Sequence, residues 1–368
     1  MDAEGWNLTR FSKATVDPTK GHLESTFIKL NDPAGKRALW VKNTIFAPTE
    51  RTSGGPPYER GRTVAEAWAV AFDRTPDDEP PTSYREVRPG QAPVTRHVAV
   101  KRTVPVEDAI LSPERPYKIS WAGVSFDGRR LEGRIEHGDA EIRFDLELSA
   151  RDPSPLTLFP LDAMYEGRFP KTKAVSPIVD AVANGEVEVR RRDGRRRTWD
   201  VRDWPAMEGH NWGVGHADLY AWAHVNCWNE PEGRGLVLEG FSGKVKALGL
   251  TTPLITLIGV RHRGVRYEGR GLELLRMRGR IEGLRRWVFS AELSGASVEG
   301  ELELAPDDTV GLYYPNPTGE MTYCLNSKIA RARITFRAAG RAPLLVTSDA
   351  AALEIGTHEP RHGIRMYV

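Results

Sequence analysis

The chain has 368 residues, 40% of them apolar and 28% charged, with a formal net charge of +2. That length is enough for two domains with their own cores, and the near-neutral balance argues against both a nucleic-acid binder and an acidic-surface protein. Two cysteines, Cys227 and Cys324, make no disulfide framework and suit a reducing compartment, with one bridge left open.

Met1-Asp-Ala-Glu-Gly-Trp6 has no basic region followed by an apolar run, so no signal peptide is expected. Helix signals are scarce, and Pro177 interrupts the stretch 172–182. The 35 glycines and 26 prolines recur at turn-like intervals. Period-two alternation predicts strands over 37–45, 65–72, 117–124, 141–148, 185–191, 198–201, 287–293 and 299–304, the pattern of an all-β barrel or sandwich. Asp127-Gly128 and Asp193-Gly194 are hairpin turns between such runs. The Gly- and Pro-rich segments 48–61 and 75–93 read as barrel-end connections, with lids over a cavity as the alternative. Six arginines between Arg190 and Arg197 read as a solvated hairpin tip rather than a phosphate or anionic-membrane site. The longest apolar stretch, 247–260, has 14 residues and contains Pro253, short of the roughly 20 that span a bilayer. A cytoplasmic protein is expected, with peripheral membrane contact left open and no oligomeric state implied.

The halves look related. Gly133-Arg-Ile-Glu136 recurs as Gly279-Arg-Ile-Glu282, and each is followed by alternation ending in Leu146-Glu-Leu148 or Leu302-Glu-Leu304. Glu66-Ala-Trp68-Ala-Val70 resembles Tyr220-Ala-Trp222-Ala-His224. Two matches in the same order suggest a tandem duplication. The join falls in the Pro-rich segment 151–177, giving domains 1–170 and 171–368.

The chemistry concentrates in Trp204-Pro-Ala-Met-Glu-Gly-His-Asn-Trp-Gly-Val-Gly-His216 and the strand that follows it. From Asp218, the even positions are Asp218, Tyr220, Trp222, His224, Asn226 and Trp228, and the odd ones are Leu219, Ala221, Ala223, Val225 and Cys227. Side chains alternate across a strand, so a small apolar face backs an aromatic and polar one. The second face suits a ligand cavity, although a hydrogen-bonded aromatic core would also use such residues. Ahead of it, Glu208, His210 and Asn211 are expected in a Gly-rich turn. Rimmed by Trp204, Met207 and Trp212, Glu208 would hold its proton, since desolvation favours the neutral acid; a loop held by polar caps is the structural alternative. His210, His216 and His224 number enough for zinc, but spacings of six and eight match no standard pattern. No Gly-x-Ser-x-Gly elbow, phosphate loop or dinucleotide fingerprint is found.

Glu208-Gly-His-Asn-Trp-Gly213, followed by Tyr220-Ala-Trp222, resembles the superfamily of tandem lipocalin-like proteins: AttH-like proteins, carotenoid 1,2-hydratases, tocopherol cyclases and lipocalin-like Diels–Alderases. The Glu-x-Asn-Trp-Gly signature of tocopherol cyclases maps onto Glu208, Asn211, Trp212 and Gly213, then Trp222; His210 and His216 depart from it. Leu39-Trp-Val-Lys42, Ala67-Trp68, Pro170-Lys-Thr-Lys-Ala174 and Leu238-Glu-Gly-Phe-Ser-Gly243 are similar to the same group. The resemblance implies two lipocalin-like β domains side by side, a hydrophobic site in or between them, and chemistry on isoprenoid or polyene substrates without a cofactor. The expected activity is a cyclase, hydratase or isomerase, with Glu208 or Asp218 as proton donor. His210 and His224 would be base or orienting partner, and Asn211 would hydrogen-bond substrate or acid. Trp212, His216, Tyr220, Trp222, Asn226 and Trp228 would line the cavity, joined by Trp40, Trp68 and Phe72. A non-catalytic lipid or isoprenoid carrier is the alternative; it needs the cavity but no acid.

Overall fold

Alternating strands build nearly the whole molecule. The computed structural model describes residues 1–12, 16–50, 52, 61–75, 96–167, 170–244, 246–247, 250–269 and 271–368, so the segments expected to be long loops fall largely outside the described residues. The first sheet comprises β1 (His22–Asn31), β2 (Arg37–Ala47), β3 (Val64–Asp73), β4 (Val98–Pro105), β5 (Ile119–Trp121), β6 (Val124–Phe126), β7 (Arg130–His137), β8 (Ala140–Asp152), β9 (Leu156–Thr157), β10 (Thr172–Arg190) and β11 (Arg196–Gly213). Its order is β4-β3-β2-β1-β11-β10-β8-β7-β6-β5, with β9 paired to β10. The chain then forms β12 (Leu219–Val225) and β13 (Leu236–Lys244), followed by a small ribbon of β14 (Lys246–Ala247) and β15 (Leu250–Thr251). The remaining strands are β16 (Ile255–His262), β17 (Val265–Glu268), β18 (Arg278–Glu282), β19 (Arg286–Leu293), β20 (Ala296–Glu303), β21 (Val310–Pro315), β22 (Met321–Ala338) and β23 (Leu344–Thr357). The second sheet runs β17-β16-β13-β12-β23-β22-β20-β19-β18, with β21 on β22.

Each sheet curls until its far strands meet: β4 approaches β7 and β8, and β16 approaches β18. The enclosed faces bury one apolar core each, around Ile28, Val41, Trp121 and Trp204 in the first and around Ala221, Leu238, Trp287 and Ile355 in the second. The fold is all-β, two tandem lipocalin-like domains side by side.

The two sheets share a plan in which the first strand of each unit pairs with its last, β1 with β11 and β12 with β23. The expected division at 170/171 therefore needs correcting. β10 and β11 complete the first barrel, and the changeover lies between Gly213 and Leu219. The Pro-rich stretch misled because proline usually breaks a sheet; here Pro177 sits at a register shift between Val175 and Ile178, where an irregular ladder tolerates a missing N–H. The tandem plan is real, but of the two sequence matches one is out of step with it and the other only partly in step. Glu66–Val70 lies on β3, whose counterpart by sheet order is β16, not β12. Gly133–Glu136 lies on β7 and Gly279–Glu282 on β18, one strand away from equivalence, whereas Leu146 on β8 and Leu302 on β20 do correspond. The expected strand 117–124 is two short strands, because Ala122 and Gly123 take left-handed φ values of 54° and 87° and turn the chain. The arginine-rich hairpin is less solvated than expected: Arg191 is buried, Arg197 pairs with Asp73 at 2.8 Å and Arg190 with Glu141 at 3.2 Å. Both cysteines are free and buried.

Candidate functional site

The segment expected as a Gly-rich turn is extended strand. β11 runs unbroken to Gly213, hydrogen-bonded to β1 on one side and β10 on the other. Gly209 is there for close approach rather than for turning: the Phe27 ring, opposite it on β1, lies where its Cβ would be. Alternation then sorts the motif. Trp204, Ala206, Glu208, His210 and Trp212 point one way, and Trp204 and Ala206 belong to the first barrel's core. Met207 points the other way, into a cluster with Tyr220, Trp222 and Ala352 of the second domain; Asn211 shares its parity.

Glu208 is therefore inside the first barrel, with 0% exposure. Burial pushes its carboxyl up to about 8. Asn7 lies beside it and offsets part of that rise, yet neither carboxyl oxygen meets a partner at hydrogen-bonding geometry. Its surroundings share this property. Asn7 Oδ1, both amide atoms of Asn43 and the Tyr117 hydroxyl are buried and unpartnered. Tyr117 stands near Thr26 and feels the charge of Glu208, and Asn43 is opposite Thr26 across β1 and β2. Buried polar atoms are rarely left without partners, and a group of them marks a place built for a guest or ordered water.

The N-terminal segment covers this part of the barrel. Helix α1 (Ala3–Asn7) is capped by Asp2, which accepts from the Gly5 N–H at 3.0 Å. Trp6 packs with Tyr165, Val175 and Trp212. Glu24 accepts from the Arg10 and Phe11 N–H groups at 2.7 and 2.6 Å, and from the His210 and His22 rings at 2.9 and 3.0 Å. Burial alone would raise the Glu24 carboxyl, but the two histidines outweigh it and hold it down at about 2. His210 also donates through Nδ1 to the Trp6 carbonyl at 2.6 Å. It thus ties strand to plug and turns neither nitrogen toward Glu208.

The aromatic face of β12 does not face Glu208. Tyr220, Trp222, His224 and Asn226 face the layer between the domains. Trp222 meets Phe27 edge-on at 5.3 Å and donates to Glu239 Oε1 at 3.2 Å. His224 donates to the Val179 carbonyl at 2.9 Å, and burial holds its ring far below the usual imidazole range. Asn226 donates to Asp180 and the Ala206 carbonyl, each at 2.9 Å, and accepts from Lys29 at 2.8 Å. Trp40, Trp68 and Phe72 enter the same layer and pack with Val310, Leu312 and Tyr314. His216 stacks 5.2 Å from Tyr314, and burial pushes its ring down to about 3. Asp218 is half-buried in the connector. Trp228 lies elsewhere: it donates to the Leu236 carbonyl at 2.7 Å and packs against the second core. The expected single site is thus corrected to two compartments on opposite faces of the β1–β11 sheet, with Glu208 and Trp212 on one side and Tyr220, Trp222, Trp40 and Trp68 on the other.

The sequence reading passed over several groups. Glu239, within Leu238-Glu-Gly, is buried on the interdomain face; burial pushes it up to about 7 while it accepts from Ser176 at 2.6 Å. Lys29, Lys42 and Lys328 are buried there too, and a lysine inside an apolar alternating strand was the available signal for the first two. Among the described residues no group of three or more His, Cys, Asp or Glu could hold a metal; His210, His216 and His224 point to three different places. The strand pairings also show an asymmetry. Phe27 opposite Gly209 repeats as Tyr220 opposite Gly356, again ring over glycine. Counting from these pairs, Ile355 stands where the first barrel has Glu208, and Thr357 where it has His210. The acid is a feature of one barrel of the pair.

Residues 176–357 match the tocopherol cyclase-like family. An uncharacterized protein of Mycobacterium tuberculosis is 26% identical over 316 residues, which is 84% of this chain and 80% of that one. The crystal structure of CghA with Sch210972 superposes with a TM-score of 0.50 at 11% identity, over 92% of this chain and 88% of that one. A putative AttH of Nitrosomonas europaea gives 0.48 at 12% identity, over 96% and 98%. The family match and the likeness in fold to CghA agree with the group that the sequence resembles.

Proposed function

We propose that the chain is a cyclase, hydratase or isomerase that protonates an apolar unsaturated substrate inside the first barrel, with Glu208 as the acid. The observation that carries this is a fully buried carboxyl, held neutral by desolvation, with both oxygens unpartnered among other unpartnered polar atoms. A neutral carboxylic acid at pH 7 is what proton donation to a double bond requires. The carbocation formed would be faced by the rings of Trp121, Trp204 and Tyr117, all buried in the same core. Addition of water would give hydration, attack by a group of the substrate cyclisation, and loss of a proton isomerisation. Asn7 and Asn43 would orient a polar group on the substrate; His210 would act by holding the plug. The cyclase-like family match over the second half agrees with this class of chemistry. The isoprenoid or polyene nature of the substrate rests on the resemblance.

The test begins with the small molecules retained by native protein, identified by mass spectrometry and returned to it in D2O. Wild type is expected to place deuterium on a substrate carbon, and Glu208→Gln to slow that step by roughly 10²–10⁴-fold with the fold intact. Normal turnover by Glu208→Gln removes Glu208 from the mechanism. Ligand released unchanged by wild type favours the carrier.

A further inference from the structure

The outer face of the second barrel carries a shallow bowl of about 750 Å³. Two cross-strand rows floor it. One runs Arg278, Ser290, Glu299 and Thr335, and the next runs Arg280, Val288, Glu301 and Arg333. Its carboxylates are committed to arginines outside it, Glu299 to Arg337 at 2.8 Å and Glu301 to Arg286. Among the described residues Arg333 has no hydrogen-bond or ion-pair partner, and Arg278 meets no carboxylate. The Arg278 guanidinium donates instead to the Leu275 and Met277 carbonyls, which ties the bowl to the 3₁₀ turn Gly271–Arg276. Exposed leucines stand around it. Leu345 continues the first row beyond Thr335, and Leu272 and Leu275 project from the turn. Leu161 is close by, since Pro160 and Asp162 line one cleft with Leu274 and Met277. These four leucines are between 64% and 74% exposed. The turn cannot roll them inward, because Met277 is buried in the second core and Leu274 packs against it.

A single exposed leucine is ordinary, but four about one concavity mark a surface that meets an apolar phase. The charge beside them says which phase. Residues 271–286, which supply the turn and one wall of the bowl, hold five arginines against two glutamates. Leucines that stand clear of the surface next to guanidinium groups free of carboxylates match a bilayer with anionic headgroups: the side chains enter the apolar layer, and the guanidiniums meet phosphate oxygens. A protein partner matches less well, because leucine is under-represented among the residues that anchor protein interfaces. We propose that this face docks the protein on anionic lipid bilayers, with Leu272, Leu275 and Leu345 inserted and Arg278 and Arg333 on headgroup phosphates. The docking face is on the outside of the second barrel and does not depend on the chemistry proposed for Glu208.

The test is flotation of the full chain with phosphatidylcholine vesicles, with and without phosphatidylglycerol as a minor component. Wild type is expected to bind the anionic vesicles at least about tenfold more tightly, the scale of two basic residues at a charged surface, and to be released by salt. Leu272→Ser combined with Leu275→Ser should weaken that binding by about tenfold, with native circular dichroism. Arg333→Gln, which has no partner to lose, should weaken it about fivefold, and it decides the matter if the leucine pair does not fold. Ile110→Ser, which removes an exposed apolar side chain of the first domain, and Glu208→Gln should both bind as wild type does. Equal binding to the two kinds of vesicle, unchanged binding in Arg333→Gln or in a folded leucine pair, or self-association in ultracentrifugation that the leucine pair abolishes overturns the proposal.

Discussion

Glu208 and Glu24 are carboxylates on neighbouring strands with opposite relations to pH. The Glu208 carboxyl has a usual value of 4.5 and is raised to about 8 in the folded chain. Between those values the folded protein keeps a proton that the unfolded chain has released, so this group's contribution to stability falls as pH rises through that window. Glu24, held at about 2, contributes stability that is present above 4.5 and lost as pH falls toward 2. We expect Glu208→Gln to flatten the decline of the melting temperature between pH 5 and 8 relative to wild type. Parallel curves would show that the carboxyl ionises normally. The acid's apolar setting was legible in the sequence, because Trp204 and Trp212 flank it on the same parity. Its companions were not, since Asn7, Asn43 and Tyr117 come from an N-terminal helix and two distant segments that only the closed barrel assembles.

At the scale of the element, the pairing of Phe27 with Gly209 and of Tyr220 with Gly356 explains why the motif was misread. Glycine in a short window suggests a turn; in a strand it makes room for a ring from the neighbouring strand. Gly209→Ala would drive Cβ into the Phe27 ring, and overpacking of this kind costs about 1–3 kcal/mol. Chemical denaturation should show that loss, and an unchanged midpoint would mean that the ring swings clear. The two-faced alternation of 218–228 was legible from composition alone, and Ala221, Ala223 and Val225 do lie in a core. What the polar face opposed was hidden, because parity says that two faces differ and not which element covers each.

At the scale of the whole molecule, strand count and hairpin turns sufficed for an all-β tandem fold, but the boundary was lost to local composition. The first and last strands of each unit pair, so each barrel is closed by its own ends. A chain divided between 214 and 218 should yield two co-expressed fragments that associate into a native-like complex. Division at 170 strands β10 and β11 on the wrong piece and should give insoluble material. Equal recovery from both divisions would contradict the pairing of β1 with β11. The fragments should hold together through the buried bridges between domains, among them Lys29 with Asn226 and Ser176 with Glu239.

The wall shared by the two compartments is one sheet thick, and its register fixes which groups each of them receives. A slip of a single residue between β1 and β11 would deliver Met207 and Asn211 to the barrel and the acid to the layer between the domains. Descendants of this chain can therefore lengthen or shorten that stretch of β11 only in steps of two if they are to keep the carboxyl on its present side.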